Sequence, residues 1–555
     1  MILVFLIWSL AFFVFFVLGF SIVKLINRIA GNKVTTANLH LDEYFFMGFL
    51  TLATLCGYLS IWIPIGYRLL IFVSLLSFLL FIIYFKEIRI LVGGSISEFS
   101  LLKKPETLLI ILLAILLLTV VIQKVTWYDT GLYHAQSIQW IQKYAVVPGL
   151  GNIHGRLATN SMFFVICGLF TFKIKDILIF PLNGICYVVL IIRLLSQSSI
   201  DAKPGSIWKS VMYIVLILIS LITMIPTLNS ASPDIICGIL IIYAFILLIN
   251  HEEKIMHFDL KNLVLFNLLV FNCISFKVSS LFLIISLVLY FDKDVIKRGL
   301  ITIILGILIF TPYLIRNYYL SGYLIYPFPS IDIFNVDWKI PIEKAIDEKA
   351  WIVNWAKIPG VSYLEVINLK VSEWIIPWFK NLSDNNRIFL LVNSFSIITF
   401  IIMVLKKDYF LASIQFIILI NLIFWFLMAP DPRFAYGFII FGFSLTIAFL
   451  IKILEYSKLS VISKYFKICL TFLLLFIIFY NKSYALAVLR KHSLMLQPEP
   501  FETVETKAYN SGFDYRIPVN DDKCFNAEIP CVPYQISNVV LRGTDLQDGF
   551  KVVKK

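Results

Sequence analysis

Apolar residues fill runs of membrane-spanning length along nearly the whole chain, and polar positions gather in short segments between them. The first runs cover residues 1–24, 43–62 and 67–85. Others follow at 107–123, 177–195, 209–227, 234–250, 261–275, 278–292, 299–315, 388–405, 408–428, 434–453 and 467–485. A bilayer core takes about 20 apolar residues per helix, and a backbone at that depth must satisfy its own hydrogen bonds, so each run is expected to be a helix. The pattern predicts an all-α polytopic membrane protein with about 14 transmembrane helices. Short alternating strands, as in a membrane barrel, do not recur. Residues Ser161 to Phe172 are apolar but too few to span, and read as a re-entrant or interfacial helix.

Lysine and arginine in the short loops orient these helices. Lys24, Arg28 and Lys33 follow the first run, and Lys86, Arg89, Lys103 and Lys104 follow the third, so both loops are expected in the cytoplasm. The N-terminus is then outside, and the first run is too long and unbroken for a cleaved signal peptide. Alternation from there keeps Arg193, Lys203 and Lys209, the HEEK and KRG segments, KKD, and Lys458, Lys464 and Lys467 inside. Asp129, His134, His154, Arg156, Asp234, Lys277, Arg316, Asp431 and Arg433 all fall on the exoplasmic side, although none of them was used to choose the topology. The organisation expected is an N-terminal three-helix membrane segment over 1–105, then a membrane core over 106–486 with exoplasmic loops at 124–176 and 316–386. An exoplasmic tail over 487–555 completes it.

In the second large loop, Ile342, Ala345, Ile346, Ala350 and Val353 recur at helical spacing, with Glu343, Lys344, Asp347 and Glu348 off the stripe. This predicts an amphipathic interfacial helix. Trp351, Trp355, Trp374 and Trp378 suit the headgroup layer. The segment reads either as a lid or carrier-docking surface or as a plain interface anchor.

Composition agrees with a membrane class: the 555 residues are 60% hydrophobic, with mean hydropathy +0.90. The net charge of +13 belongs to the topology-setting loops, and no soluble domain carries a basic stripe with interleaved aromatics, so nucleic acid is excluded as a partner. Cys56, Cys167, Cys186, Cys237, Cys273 and Cys469 lie in apolar runs as packing residues. Cys524 and Cys531 lie in the polar tail without zinc-site spacing, and on an oxidising side are expected to form a disulfide.

The densest polar segment, Trp127 to Asn160, carries the candidate chemistry. A carboxylate such as Asp129 can take the proton of an acceptor hydroxyl, while cations hold the charge of a departing phosphate. On a regular helix Asp129, Tyr133, Gln136 and Trp140 would share a face, with His134 on another wall. Alternatively, Asp129 simply caps that helix. PGLGNIHGR, Pro148 to Arg156, offers glycines for close approach and His154 and Arg156 for phosphate, or else it is a plain glycine-rich turn. It lacks the lysine and Ser/Thr of a Walker loop. Lys277, between two apolar runs, is a functional candidate or a snorkelling side chain. Arg316 and Arg433 suit bidentate phosphate binding, with Asp431 as a rival partner for Arg433. Asp234 is a second acid or a helix cap.

These features resemble the GT-C class of integral-membrane glycosyltransferases, which use polyprenyl- or dolichyl-phosphate sugars. The likeness rests on Asp129 in WYDTGLYH after an outward helix, a juxtamembrane helix behind it, Asp234 in ASPD at the next exoplasmic turn, and cations on later exoplasmic loops. It covers residues 107–453. The chain is also similar to uncharacterised bacterial membrane proteins sharing the YH, GLGN and PDPRF pieces. The resemblance implies a GT-C-like core and inverting transfer of a sugar from a polyprenyl-phosphate carrier to a glycan, lipid or protein acceptor at the outer face of a bacterial cytoplasmic membrane. Asp129 would be the base, with Asp234 beside it. Tyr133, His134, Gln136, His154, Arg156, Lys277, Arg316 and Arg433 would meet the substrates. Asp129 is followed by Thr130 where many members have a second acid, which leaves a divalent metal open. A polymerase or ligase with a pyrophosphate-linked donor, or a lipid-linked-glycan transporter, are the alternative readings.

Overall fold

The computed structural model describes residues 1–31, 39–100, 104–174, 177–201, 205–250, 260–290, 295–455, 482–491, 495, 498–501 and 503–553. The predicted span at 467–485 lies almost wholly outside the described residues, as do Lys33, Lys103, Lys203, the HEEK segment, Lys458, Lys464, Lys467 and Cys469.

Among the described residues, eight helices are long and apolar enough to cross a membrane, and the chain is a predominantly helical multi-pass membrane protein. They include Ile2–Ile29, Leu182–Ile200, Pro233–Asn250, Val295–Ser321 and Tyr409–Met428. A ninth candidate, Tyr67–Ile83 with Phe85–Gly94, bends by 82° at its break. Thr107–Val121, Leu260–Phe276 and Val278–Tyr290 are shorter apolar helices.

Helix direction can be followed from polar contacts at the two ends of the bundle. At one end, Arg193 stands 3.6 Å from Asp42 and 3.8 Å from Glu43. Tyr243 donates to Asp42 at 2.6 Å, and Lys452 reaches Asp408 at 2.5 Å. At the other end, Asn183 donates to the carbonyls of Ser230 and Ser232, and Arg316 donates to Ser60 and Asn160. Three helices are thereby directed relative to one another: Leu41–Leu59 rises to Ser60, Leu182–Ile200 descends to Arg193, and Pro233–Asn250 descends from Asp234.

One hydrophobic core runs from Val4 in the first helix to Phe525 in the tail. The first two helices cross so closely at Gly19 and Gly48 that a Cβ on either would strike the other helix's backbone, at Tyr44 O and Phe15 O. Ser161–Phe172 resolves into a short helix, Met162–Phe170, in which every residue is buried. It is a core element with no face left for an interface. A second core joins the end of the spanning helix Val295–Ser321 to the outer segments and the tail: Trp140, Leu150, Ile153, Leu320, Tyr323, Ile340, Phe513 and Phe550 pack together.

Strands qualify the all-α expectation. Phe172–Ile174 pairs with Ile177–Ile179, Thr506–Asn510 with Asp514–Pro518, and Val539–Leu541 with Phe550–Val552, all antiparallel. Cys524 and Cys531 are joined as a disulfide, and the five described free cysteines are buried.

Replacing Gly48 by leucine forces a side chain against the Phe15 backbone. It is expected to cost more than about 2 kcal/mol, seen as a lower melting temperature in detergent, while Gly93→Leu, where a Cβ meets nothing within 4 Å, should melt like the parent.

Candidate functional site

Segments remote in sequence bring their charges together at one end of the bundle. Asp431 heads the turn Pro432–Ala435, and its carboxylate accepts from the Arg433 backbone N–H at 3.1 Å. Two indoles hold this loop, Trp425 donating to the Asp431 carbonyl and Trp378 to the Pro430 carbonyl, each at 2.7 Å. The fixed loop aims Arg433 at three acids. Its Nη1 donates to Asp129 Oδ2 at 2.8 Å, and its Nε lies 2.8 Å from Asp431 Oδ2 and 4.0 Å from Asp234 Oδ2. Asp234 in turn pairs with Lys277, which stands at the break between Leu260–Phe276 and Val278–Tyr290 and lies 3.5 Å from the centroid of the Phe434 ring.

Asp129 precedes a turn, Thr130–His134, wound wider than an α-helix, before regular helix Ala135–Lys143 begins. The side chain of Asp129 makes no cap hydrogen bond and is given to Arg433 instead. The wide turn changes the phase of the helix. Asp129, Tyr133 and His134 all face one cavity, whereas Gln136 donates to the tail carbonyls of Phe525 and Ala527 and Trp140 packs near Phe550. The expected face of Asp129, Tyr133, Gln136 and Trp140 is thus split by one widened turn.

The cavity holds about 1250 Å³ of empty space, part of it open to solvent. Its floor is charged, with Asp129, Asp234, Lys277, Arg433, Arg156 and Lys349. Phe276, Phe328, Ile352, Val353, Phe424 and Met428 add apolar lining. Lys349, Ile352 and Val353 belong to Ile342–Lys357, the amphipathic helix legible in the second large loop. Its neighbour Glu348 contacts Arg156 at 2.8 Å. Lys349 and Tyr326 were not singled out from sequence; Lys349 lies on a helix that was.

Three predicted ligand residues are placed elsewhere. His154 is buried with its ring against Tyr534 of the tail. Arg316 borders a neighbouring small cavity and spends two donors on Ser60 and Asn160. Gln136 is held by the tail, as above. The glycines of PGLGNIHGR meet protein: a Cβ on Gly149 would strike Phe550, and one on Gly151 would strike Ile340 and Ala158. Of that motif, Arg156 alone lines the large cavity. Trp374 and Trp378 are buried, so among the four predicted interface tryptophans only Trp351 and Trp355 expose their rings.

Electrostatics follow from this packing. Burial pushes the Asp129 carboxyl up, but Arg433, then His134, Arg156 and Lys277, outweigh it and hold the group below the ordinary carboxylate value. Burial pushes His134 down to about 3 and His154 down to about 3, so both are neutral hydrogen-bonding groups near neutrality. His134 Nδ1 lies 3.0 Å from Thr130 Oγ1. Each acid of the cluster already engages a cation, and among the described residues no group of three His, Cys, Asp or Glu side chains is arranged for a metal ion. The cluster does not fit a divalent metal.

A family model described as a domain of unknown function, DUF8201, matches residues 1–440. The chain belongs to this family. No curated protein and no solved structure matches it. The DUF8201 match takes in Asp129, Asp234, Lys277 and Arg433 and stops short of the tail that packs against the Asp129 segment.

For this DUF8201 protein the two buried histidines set an acid sensitivity. Their folded proton affinity is below the unfolded one, so the unfolded chain takes up protons first and stability falls as pH drops from about 6.5 towards 3. Each histidine contributes about 1.4 kcal/mol per pH unit through most of that window. His154→Phe should remove about half of that slope between pH 6 and 4.5 in thermal melts, and an unchanged slope would contradict the assignment.

Proposed function

We propose that this protein is an inverting glycosyltransferase of the GT-C type that moves a sugar from a polyprenyl-phosphate carrier to an exoplasmic acceptor. One observation carries the reading: two acids and four cations line a cavity that aromatic and aliphatic side chains also line. Such a lining matches a donor with a phosphate and a sugar at one end and an isoprenoid chain at the other. In this reading the GT-C-like core holds the charged end of the bundle at the outer face of a bacterial cytoplasmic membrane. Its complement of about 14 spans includes the shorter apolar helices.

The transfer assigns each group a task. The acceptor hydroxyl gives its proton to Asp129 as its oxygen bonds to the anomeric carbon. The bond from that carbon to the phosphate oxygen breaks, and the polyprenyl phosphate leaves with the electron pair, inverting the centre. Lys277, Arg433 and Arg156 hold the phosphate charge. A phosphate that engages Arg433 also draws it from Asp129, which raises the proton affinity of that carboxylate when it is needed. Lys349 in the cavity lining and the exposed indoles of Trp351 and Trp355 favour the amphipathic helix as the entry for a lipid carrier.

With purified protein and a panel of polyprenyl-phosphate monosaccharides, Asp129→Asn is expected to lower transfer by at least about 100-fold while donor binding persists. Full activity in that variant would remove the base assignment. Transfer only from pyrophosphate-linked oligosaccharides would move the protein to the polymerases and ligases. Sidedness has its own check. A cysteine at exposed Thr544 should react with an impermeant maleimide on intact cells, and one at exposed Lys407 only after permeabilisation; the reverse pattern would invert the topology.

A further inference from the structure

Behind the ion cluster lies a second cavity of about 670 Å³, and Asp234 and Arg433 line both chambers. The two differ in chemistry. Where the first has Phe424, Met428, Ile352 and Val353, the second is lined by Thr223, Thr227, Ser383, Tyr436, Asn385 and Asn386 alongside Ile222, Pro226 and Ile235. Ser383, Asn385 and Asn386 come from the start of helix Asp384–Ser394, so a capped helix end supplies one polar wall.

Trp127 closes the cavity on the side of Asp129. One face of its ring looks towards the Arg433 guanidinium, 5.6 Å from the centroid. Its indole N–H is buried and has no hydrogen-bond partner among the described residues. A buried donor left unmatched costs about 1–3 kcal/mol; the Trp127 N–H is one, whereas Arg433 Nε has the Asp431 carboxylate at 2.8 Å.

We propose that this second cavity is a binding site for a neutral, hydroxyl-rich carbohydrate, the acceptor of the transfer. The proposal rests on the glycosyltransferase reading and adds the class of acceptor and its place. Hydroxyl and amide groups match a sugar's alternating donors and acceptors. The indole adds an amphipathic face of the kind that packs on a sugar ring. A sugar lodged there presents its hydroxyl at the wall formed by Asp234 and Arg433, and meets Asp129, bonded to that guanidinium, once the donor phosphate draws Arg433 away.

The test uses the full chain in nanodiscs and saturation-transfer NMR with methyl glycosides of glucose, galactose, mannose and N-acetylglucosamine. At least one should bind the wild type. Thr223→Leu and Asn386→Leu, two variants from different walls, should each weaken it at least tenfold with an unchanged melting temperature. Undecaprenyl phosphate, added separately, should bind wild type and both variants alike. If no glycoside binds, or if neither variant weakens binding, the acceptor site is refuted while the donor reading stands. A serine- and threonine-containing peptide that binds in place of the glycosides and is lost in both variants would also refute it. If undecaprenyl phosphate itself fails to bind, the glycosyltransferase reading falls, and the acceptor assignment with it.

Discussion

The Arg433 guanidinium ties the site together. Its bond to Asp129 joins residues 304 positions apart, and the same side chain lies beside Asp431 and within 4.0 Å of Asp234. Removing one partner of such a largely buried pair leaves the others desolvated without compensation, which is why the cluster holds as a unit. Its geometry depends on Trp378 and Trp425, whose indoles grip the loop carbonyls next to the arginine. The packing of two tryptophans therefore sets the position of a charge.

Around that charge the molecule is arranged in layers. Apolar helices form one continuous core below it. The outer segments, the tail and the end of Val295–Ser321 form a second core above it, where Phe550 reaches Trp140 and the Phe525 N–H donates to the Gly131 carbonyl at 2.8 Å. The turn that carries Asp129, Tyr133 and His134 is held between the two. A wide turn is a poor structure by itself, and here the Phe525 ring lies where a side chain on Gly131 would stand. The tail thus works as a clamp on the site, although the family match ends before it.

Charge balance differs between the two ends of the bundle. At the end away from the cavity, Arg193, Asp42, Glu43 and Tyr243 make a buried cluster. At the other end the same residue types border open space on two sides.

Hydropathy and loop charge determined the membrane class, the positions of most helices and which polar segments share an end, because burial in a bilayer acts on each run by itself. Asp129, Asp234, Lys277 and Arg433 stood out for the same local reason: each interrupts apolar sequence. The tertiary structure alone decided which of the polar residues meet. It turned Gln136 and His154 to the tail, gave Arg316 neutral partners, brought in Lys349 and Tyr326, and buried Trp374 and Trp378. Those outcomes depend on one widened turn and on contacts between segments hundreds of residues apart, and neither is a property of any window of sequence.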